Sequence, residues 1–288
     1  MSLRNALTVD VEDYFQVSAF ADNIHQHEWD AHPLRVNKNT FRLLDLFDEY
    51  QLKATFFILG WVAERDKSLV HEIADRGHEV ASHGYSHQLV YNQTPDTFRQ
   101  ETVRAKSILE DIIQQPVRGY RAASYSITEK SQWALDILAE SGFVYDSSIF
   151  PVRHDRYGMP GAPEHPYRLE TPAGNSIIEF PLSVAKIINY HLPIAGGGYF
   201  RLYPYWLSRM GLRQINRQQK PFIFYLHPWE IDPEQPRISA GWLSRFRHYN
   251  NLDKCEPRLK NLMTDFQFTT TWDVLSDLGF NDTSIRSK

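Results

Sequence analysis

The sequence predicts an α/β fold built on a parallel sheet, either open or closed into a barrel. Short apolar runs of strand length alternate along the first half with segments whose apolar residues recur at helical spacing. Ionisable residues follow several of the apolar runs, which is typical of the carboxyl ends of parallel strands. With 288 residues, the chain is long enough for one large domain of this class or for two ordinary ones.

The first predicted strand covers residues 5–11, NALTVDV, and the second covers residues 53–60, KATFFILG. Both runs are apolar and rich in β-branched or aromatic residues, which strands favour. Between them, Asn39 or Thr40 is predicted to cap a helix whose apolar residues recur at helical spacing as far as Phe47.

The next helix is predicted from about Ser68 to Arg76. Gly77 is its predicted stop, because glycine readily takes the left-handed conformation that ends helices. Residues 78–84, HEVASHG, follow as the third strand, so the alternation of strand and helix continues.

Thr94 and Pro95 are predicted to be the N-cap and first residue of a long helix. A strand and its exit loop then cover residues 118–124, RGYRAAS, and a third helix opens at Thr128. The strand in residues 143–150, FVYDSSIF, completes this half. Strands joined by helices imply right-handed crossovers and hence a parallel sheet.

After Pro151 the sequence becomes rich in proline, glycine and aromatic residues, which predicts a loop-rich region packed on the sheet. A buried strand returns in residues 221–231, PFIFYLHPWEI. We therefore predict one domain over residues 1–280, with core segments at 5–150 and 221–231, and a short tail at 281–288.

Composition excludes several classes of protein. The net charge of −4 comes with scattered lysines and arginines, so no basic stripe predicts nucleic-acid binding. The single cysteine, Cys255, excludes an internal disulfide framework and a thiolate metal cluster. We find neither an apolar run of signal-peptide length near residue 1 nor a window of about 18 apolar residues. We therefore expect a cytoplasmic protein without a transmembrane segment.

Ionisable residues at the ends of five predicted strands form the candidate site. They are Asp10, Glu12 and Asp13 at the end of the first strand, His83 and His87 at the end of the third, and Arg121, Asp146 and His227 at the ends of later ones. Because side chains alternate along a strand, Asp10 and Glu12 are expected on the same face. The carboxyl ends of parallel strands meet at one edge, so these residues are expected to lie close together.

Two imidazoles and one carboxylate are the ligand set of a catalytic zinc or a related divalent ion. His83 and His87 with Glu12 supply this set, although Asp13 competes with Glu12. Such an ion favours hydrolysis of an amide or ester, for which Asp10 and His227 are the candidate base and acid. Any one of these residues alone is more often an ordinary surface or core residue. Their coincidence at strand ends favours a site.

Five segments resemble, in order, the motifs of the metal-dependent polysaccharide deacetylases of carbohydrate esterase family four, which share the nodulation-type deacetylase homology domain. The segments are TVDVED (8–13), SHGYSH (82–87), RGYRAASYS (118–126), YDSSIFP (145–151) and FIFYLHPWE (222–230). The resemblance implies a distorted (β/α) barrel, a divalent metal, with zinc the first choice, and removal of N-acetyl groups from an acetamido sugar oligomer or polymer.

The resemblance also implies roles for further residues. Arg121 would orient Asp10, Asp146 would work with His227, and a backbone amide near Ser124 or Tyr125 would bind the oxyanion. The chain departs from the family pattern in four places. Val11 separates the first two acids, and Gly84 replaces a serine or threonine between the two histidines. Ala123 and Ser124 replace a proline and tyrosine, and Ser147 replaces a tryptophan.

Four segments are similar to a subfamily encoded at exosortase-linked exopolysaccharide loci: DVEDYF, GYRAASYSI, GGGYFRLYPY and LHPWE. This similarity implies a subfamily-specific region from about residue 152 to 280, an exopolysaccharide substrate or its precursor, and association with membrane-side exopolysaccharide machinery. The alternatives are deacylation of another amide, such as peptidoglycan glucosamine, a formyl-sugar lipid or a cyclic imide, and a non-catalytic glycan-binding barrel.

Overall fold

The computed structural model describes residues 3–154, 157–187 and 190–281. In these ranges the strands are β1 (Arg4–Val11), β2 (Thr55–Ile58), β3 (Glu79–Ser82), β4 (Gly119–Tyr120), β5 (Tyr145–Asp146), β6 (Tyr167–Glu170), β7 (Ser176–Glu179), β8 (Val184–Ile187), β9 (Tyr190–Pro193), β10 (Ile223–Leu226) and β11 (Gln267–Thr269). The predicted tail, apart from Asn281, lies outside the described residues.

The α-helices in the same ranges are α1 (Val36–Glu49), α2 (Gly60–Arg65), α3 (Lys67–Asp75), α4 (Pro95–Ile113), α5 (Trp133–Glu140), α6 (Gly197–Leu202), α7 (Tyr205–Arg217), α8 (Trp242–Tyr249), α9 (Leu252–Asp265) and α10 (Thr271–Asp277). Within the part of the chain that the structure describes, no helix is both long and apolar enough to cross a membrane.

Nine strands form one sheet in the order β10-β1-β2-β3-β4-β5-β7-β6, and β11 pairs with the first residues of β1. All pairings in this sheet are parallel except that of β6 with β7. Strands β8 and β9 form a separate antiparallel hairpin. The predicted α/β class with a mainly parallel sheet is confirmed.

Alternate residues of the sheet bury their side chains in two different clusters. Leu7 and Phe56 belong to the larger cluster, whereas Ala6, Phe57 and Ala81 belong to the smaller one. Since both faces are covered, the central strands are continuous apolar runs, as buried parallel strands are. Even-numbered residues of β1 face the smaller cluster, so Asp10 lies at the carboxyl end of that inner face.

Helix α4 begins where local sequence predicts, and α3 begins one residue earlier than predicted. The Thr94 hydroxyl accepts a hydrogen bond from the amide of Thr97 at 3.2 Å, with Pro95 as the first residue of α4. Helix α3 is displaced by one residue from its predicted bounds because Asp66 caps it, accepting from the Leu69 amide at 3.0 Å.

One expectation is wrong. Helix α1 begins at Val36, and the predicted caps Asn39 and Thr40 are buried inside it. Its cap is a distant residue, Asp13, whose Oδ2 accepts from the amides of Arg35 and Val36 at 2.7 and 2.9 Å. The region after Pro151 contains the four short strands β6 to β9 among its loops.

Candidate metal centre and catalytic site

Glu12, His83 and His87 meet at the carboxyl ends of β1 and β3. One ligand atom from each residue lies within 4.8 Å of the other two. Glu12 Oε2 is 2.7 Å from Nε2 of His87, and both side chains are almost fully buried. The fold therefore brings together the three side chains that sequence reasoning selected as a metal set.

The loop between the two histidines is shaped by left-handed backbone and by a helix that sequence reasoning missed. Gly84 has φ +75° and His87 has φ +54°, which reverses the chain after β3. The first amides of α2, those of Gly60 and Trp61, donate to the carbonyls of Gly84 and Tyr85 at 2.8 and 3.1 Å. The N-terminus of α2 thus fixes the histidine loop.

The protonation states in this cluster suit a cation. Burial lowers the pKa of His83 to about 4, so its imidazole is neutral at physiological pH. Burial alone would raise the pKa of Glu12, but the neighbouring His87, His227 and His83 lower it to about 2. A neutral imidazole and an ionised carboxylate are the forms that bind metals.

A second hydrogen bond orients one of the imidazoles. Nδ1–H of His83 donates to the carbonyl of Arg121 at 2.8 Å, which directs Nε2 toward Glu12 and His87. This arrangement is typical of metal-binding histidines, whose other nitrogen is fixed by a backbone or carboxylate acceptor. On the other side of the cluster, the indole N–H of Trp229 donates to Glu12 Oε1 at 3.2 Å.

Arg121 is fully buried beside Asp10. Its guanidinium donates to Asp10 Oδ1 at 2.6 Å and to the Thr8 hydroxyl at 2.7 Å. Nε and the remaining amino group donate to the carbonyl and hydroxyl of Ser147, and the guanidinium lies 4.0 Å from the ring centre of Phe57. These contacts leave the other oxygen of Asp10, Oδ2, facing His227 Nε2 at 3.9 Å.

His227 is paired with Glu230 and not with Asp146, which corrects the sequence-based expectation. Nδ1–H of His227 donates to Glu230 Oε2 at 3.1 Å, and Glu230 Oε1 accepts from Nε of Arg201 at 2.6 Å. Burial would lower the pKa of His227, but the carboxylates of Glu230, Glu12 and Asp10 raise it to about 9. His227 is therefore charged at neutral pH, with Nε2 turned toward Glu12 at 3.5 Å.

Sequence reasoning missed Glu230 and Arg201. Glu230 follows His227 by three residues, and its carboxylate also accepts the backbone amide of His227 at 3.0 Å. His227 is the N-cap of a short helical turn and Glu230 is its third residue, and this spacing is the sequence signal that could have indicated Glu230. Arg201 had no such local signal, because it lies 29 residues before Glu230 in sequence.

Asp146 is connected through the Ser148 hydroxyl to the backbone amide of Ala122, the residue after Arg121. Its Oδ1 accepts from the Ser148 hydroxyl at 2.6 Å, and that hydroxyl accepts from the amide of Ala122 at 2.8 Å. Its other neighbour is the carboxyl group of Glu179. Burial raises the pKa of both acids, that of Asp146 to about 6, so the pair holds a proton.

The structure separates the two acids that competed as metal ligand. Asp13 is fully buried and directs its carboxylate to the amides of Tyr14, Arg35 and Val36. Burial raises its pKa to about 6 in spite of these hydrogen bonds. Asp13 is therefore committed to the start of α1, and Glu12 is the acid that faces the histidines.

The segment after Arg121 lines the site with strained backbone. Ser124 and Tyr125 have φ of +50° and +56°, which is uncommon for residues other than glycine. The amide of Tyr125 donates to the carbonyl of Ala122 at 3.0 Å. Of the two predicted oxyanion amides, that of Tyr125 is thus already engaged.

A cleft of about 440 Å³ opens over Asp10, Glu12 and the histidines. Its wall is largely aromatic and comes from both halves of the chain. The aromatic lining residues include Tyr91, Tyr125, Tyr157, Tyr199, Tyr225 and Trp229. Concave sites with an apolar wall and a few converging polar groups are typical of small-molecule and sugar binding.

Residues 27–144 match the family model described as "Polysaccharide deacetylase". This stretch contains His83, His87 and Arg121, arranged as described above. This stretch is thus similar to polysaccharide deacetylases. Residues 147–276 match a second model, "Domain of unknown function (DUF3473)", and this part contains His227 and its partners.

Part of the chain is similar to curated deacetylases. A peptidoglycan deacetylase of Helicobacter pylori is 33% identical over 108 residues, and a peptidoglycan-N-acetylglucosamine deacetylase of Bacillus cereus is 31% identical over 98. A chitooligosaccharide deacetylase of Bradyrhizobium is 27% identical over 99 residues. The matches cover 38%, 34% and 34% of this chain and only 36%, 36% and 43% of these relatives.

Solved structures share the fold over almost the whole chain. A putative polysaccharide deacetylase from Mycobacterium smegmatis has a TM-score of 0.59 and 23% identity, covering 95% of this chain and 89% of its own. A probable polysaccharide deacetylase from Pseudomonas aeruginosa PAO1 has a TM-score of 0.61 and 14% identity, covering 97% and 91%. Puue allantoinase has a TM-score of 0.60 and 13% identity, covering 97% and 90%. The polysaccharide deacetylase fold therefore extends through both matched regions.

Proposed function

We propose that this chain is a metal-dependent hydrolase that removes N-acetyl groups from acetamido sugars of an exopolysaccharide or its precursor. One observation carries the proposal. The cluster of Glu12, His83 and His87 lies beside an arginine-held carboxylate, Asp10, and a charged imidazole, His227, whose Nε2 is 3.9 Å from Asp10 Oδ2. Hydrolysis of an unactivated amide is served by a base for the attacking water and an acid for the departing amine.

The donor set fits a divalent ion. Glu12 Oε2 is buried with Nε2 of His87 only 2.7 Å away, and one ligand atom from each of Glu12, His83 and His87 lies within 4.8 Å of the other two. A carboxylate oxygen with two imidazole nitrogens suits zinc and its neighbours in the transition series better than magnesium or calcium. We propose Glu12, His83 and His87 as the residues that hold the ion, with zinc as the first choice.

When bound, a divalent ion would polarise the acetamido carbonyl and lower the pKa of the attacking water. Asp10 accepts a proton from that water at Oδ2, because Arg121 holds Oδ1. The water oxygen bonds to the carbonyl carbon, and the amide C–N bond then breaks. His227 donates the proton on Nε2 to the departing amine, and acetate and the free amino sugar are released.

The backbone after Arg121 supports the same step. The amide of Ser124 is our candidate donor to the developing oxyanion, because the amide of Tyr125 already donates to a carbonyl. Asp146 is a positioning residue in this proposal. It holds Ser148, which accepts the amide of Ala122 and so fixes the turn that carries Ser124.

The substrate and setting are further parts of the proposal. The exosortase-linked motifs support an exopolysaccharide or its precursor and association with membrane-side exopolysaccharide machinery. The single cysteine, Cys255, supports the proposed cytoplasmic location. Peptidoglycan glucosamine is the second candidate substrate, because two of the relatives are named peptidoglycan deacetylases. A formyl-sugar lipid or cyclic imide would need the same amide chemistry.

The test compares metal content and acetate release in the wild type, His83→Ala and His71→Ala. His71 is exposed on α3 and is the matched control. We expect about one divalent ion per chain in the wild type and in His71→Ala, and loss of metal and activity in His83→Ala. Mass spectrometry gives the metal content, and chitooligosaccharides and peptidoglycan fragments serve as substrates.

The result that contradicts the proposal is equally clear. Wild-type protein without metal, or with metal but without acetate release from any of these substrates, would exclude this reaction. Tight glycan binding in such a protein would favour the non-catalytic barrel.

A further inference from the structure

Helix α8 (Trp242–Tyr249) leaves its largest apolar residues in solvent. Trp242 is 78% exposed, Phe246 is 49% exposed and Leu243 is 44% exposed. With about 100° between successive residues, these three side chains fall on one side of the helix. We call this surface the α8 face.

The α8 face is exposed although the helix is firmly anchored at its other end. His248 is buried and stacks on Trp229 with ring centres 4.1 Å apart. The guanidinium of Arg201 donates to the carbonyls of Arg247, His248 and Asn250 at 2.8 to 3.0 Å. The exposure of Trp242 is thus a property of a fixed helix and not of a loose segment.

Basic residues border the α8 face. The helical spacing puts Arg245 on one side of the apolar stripe and Arg247 on the other. No aspartate or glutamate occurs in the sequence between Glu234 and Asp253, whereas this stretch also contains Arg237. The surface is therefore apolar in the middle and positively charged at its edges.

The α8 face continues into the rim of the catalytic cleft. Leu243, Phe246 and Arg247 line the cleft, together with Leu202, which is 47% exposed. Whatever covers the α8 face therefore also lies beside the entrance to the site.

We infer that the α8 face docks on an anionic membrane surface. Trp242, Leu243 and Phe246 would enter the boundary between headgroups and acyl chains, and Arg245 and Arg247 would contact anionic headgroups. An apolar helix face bordered by arginines is the pattern of interfacial helices. Leu243 on this face, and Leu202 at the same cleft rim, offer branched aliphatic groups that gain by leaving water and cannot stack on a sugar ring. This inference does not depend on the proposed reaction.

The test is sedimentation of the full chain with vesicles of phosphatidylcholine containing phosphatidylglycerol, compared with pure phosphatidylcholine. We expect binding to the anionic vesicles that weakens as salt is raised, and at least about tenfold weaker binding to the neutral ones. Trp242→Ser and Arg245→Glu should each weaken binding by about tenfold or more. Neither residue lines the cleft, and unchanged circular dichroism and Tm would show that both variants fold.

The matched control is Trp206→Ser on α7, where the tryptophan is 63% exposed. Arg209 and Arg213 on that helix are paired with Asp265, so we expect less than about a twofold change. An equal loss in Trp206→Ser would overturn the inference. It would also be overturned by binding to alginate but not to vesicles, or by a dimer that Trp242→Ser dissociates.

Discussion

Two buried charged residues fix His227. Glu230 contacts the imidazole directly, and Arg201 holds Glu230. Glu230 accepts the Nδ1 proton of His227, and Arg201 in turn is fixed to Glu230 and to three carbonyls near the end of α8. A buried carboxylate needs such a partner, because an unpaired charge in the interior is strongly unfavourable. The pair fixes both the orientation of the imidazole and its charge.

Replacing Glu230 should affect amide hydrolysis far more than ester hydrolysis. In Glu230→Gln, the imidazole loses its anionic partner, so protonation of the departing amine is impaired. We expect kcat for chitooligosaccharide deacetylation to fall about 10- to 100-fold, and hydrolysis of 4-nitrophenyl acetate to fall less than about threefold. The nitrophenolate group departs without needing a proton, so the ratio of the two rates is the measurement.

Glu234→Gln is the matched control, because Glu234 is exposed a few residues further on. Both of its rates should equal those of the wild type. A uniform fall for both substrates in Glu230→Gln would mean that Glu230 serves the fold or the base, and not the acid.

The sequence predicts the partners of some site residues correctly and those of others wrongly. Asp10 and Glu12 were assigned to one site from the two-residue period of β1 alone, and the structure brings both to His227. Asp146 was assigned to His227 by resemblance, but its contacts are with Ser148 and Glu179. Which carboxylate reaches an imidazole depends on the packing of several strands, and a motif does not encode that.

The neighbouring acids Glu12 and Asp13 have different roles in the fold. Asp13 supplies hydrogen-bond acceptors to the first amides of α1, which have no partner within the helix. Glu12 points instead to the histidines. The two residues that follow β1 are therefore a candidate metal ligand, Glu12, and an acid that stabilises α1, Asp13.

The variants Glu12→Ala and Asp13→Ala should therefore have opposite effects. We expect Glu12→Ala to lose metal, whereas Asp13→Ala keeps metal and lowers the free energy of unfolding by about 1–3 kcal/mol, because the amides of α1 lose their acceptor. Mass spectrometry measures the metal, and urea denaturation measures the stability. Loss of metal only in Asp13→Ala would reverse the assignment of the two acids.

The elements that sequence reasoning missed share one cause. Helix α2 is only six residues long and follows β2 almost directly, so the apolar run of residues 53–60 predicts Gly60 as the end of the strand. Strands β6 to β9 have four residues each, among prolines and glycines that predicted loops. Short elements lack the number of periods that makes a pattern visible, and pairing with neighbours supplies the missing stability.

The molecule builds one site from two differently matched regions. Residues 27–144 contribute His83, His87 and Arg121, whereas residues 147–276, matched only as a domain of unknown function, contribute His227 and its partners. Strand β10 lies beside β1 in the sheet, which places His227 next to Asp10 and Glu12. The second region is therefore part of the candidate active site and not an appendage.

Stability should depend on pH through the buried acids Asp146 and Glu179. Burial raises the pKa of both in the folded state, so the folded chain holds a proton that the unfolded chain releases at lower pH. Stability from this pair is therefore present in acid and is lost as pH rises above the unfolded pKa of the acids. In Glu179→Gln, the amide donates to Asp146 without a titrating proton, and Tm should fall less with rising pH than in the wild type.

The measurement is Tm by calorimetry from mildly acidic to alkaline pH. Glu170→Gln, on the exposed side of β6, is the control and should follow the wild type. Identical pH profiles for Glu179→Gln and the wild type would show that the pair does not share a proton.

The sequence by itself determined the α/β class, the order of the central strands and helices along the chain, and a candidate metal set of His83 and His87 with either Glu12 or Asp13. These follow from local periodicity and from the rule that parallel strands end at one edge. Tertiary structure alone decided that Asp13 caps α1, that Glu230 and Arg201 hold His227, and that the α8 face stays exposed. Each of these contacts joins residues that lack a fixed sequence spacing or depends on what the packed core leaves uncovered, and packing is settled only when the whole chain is folded.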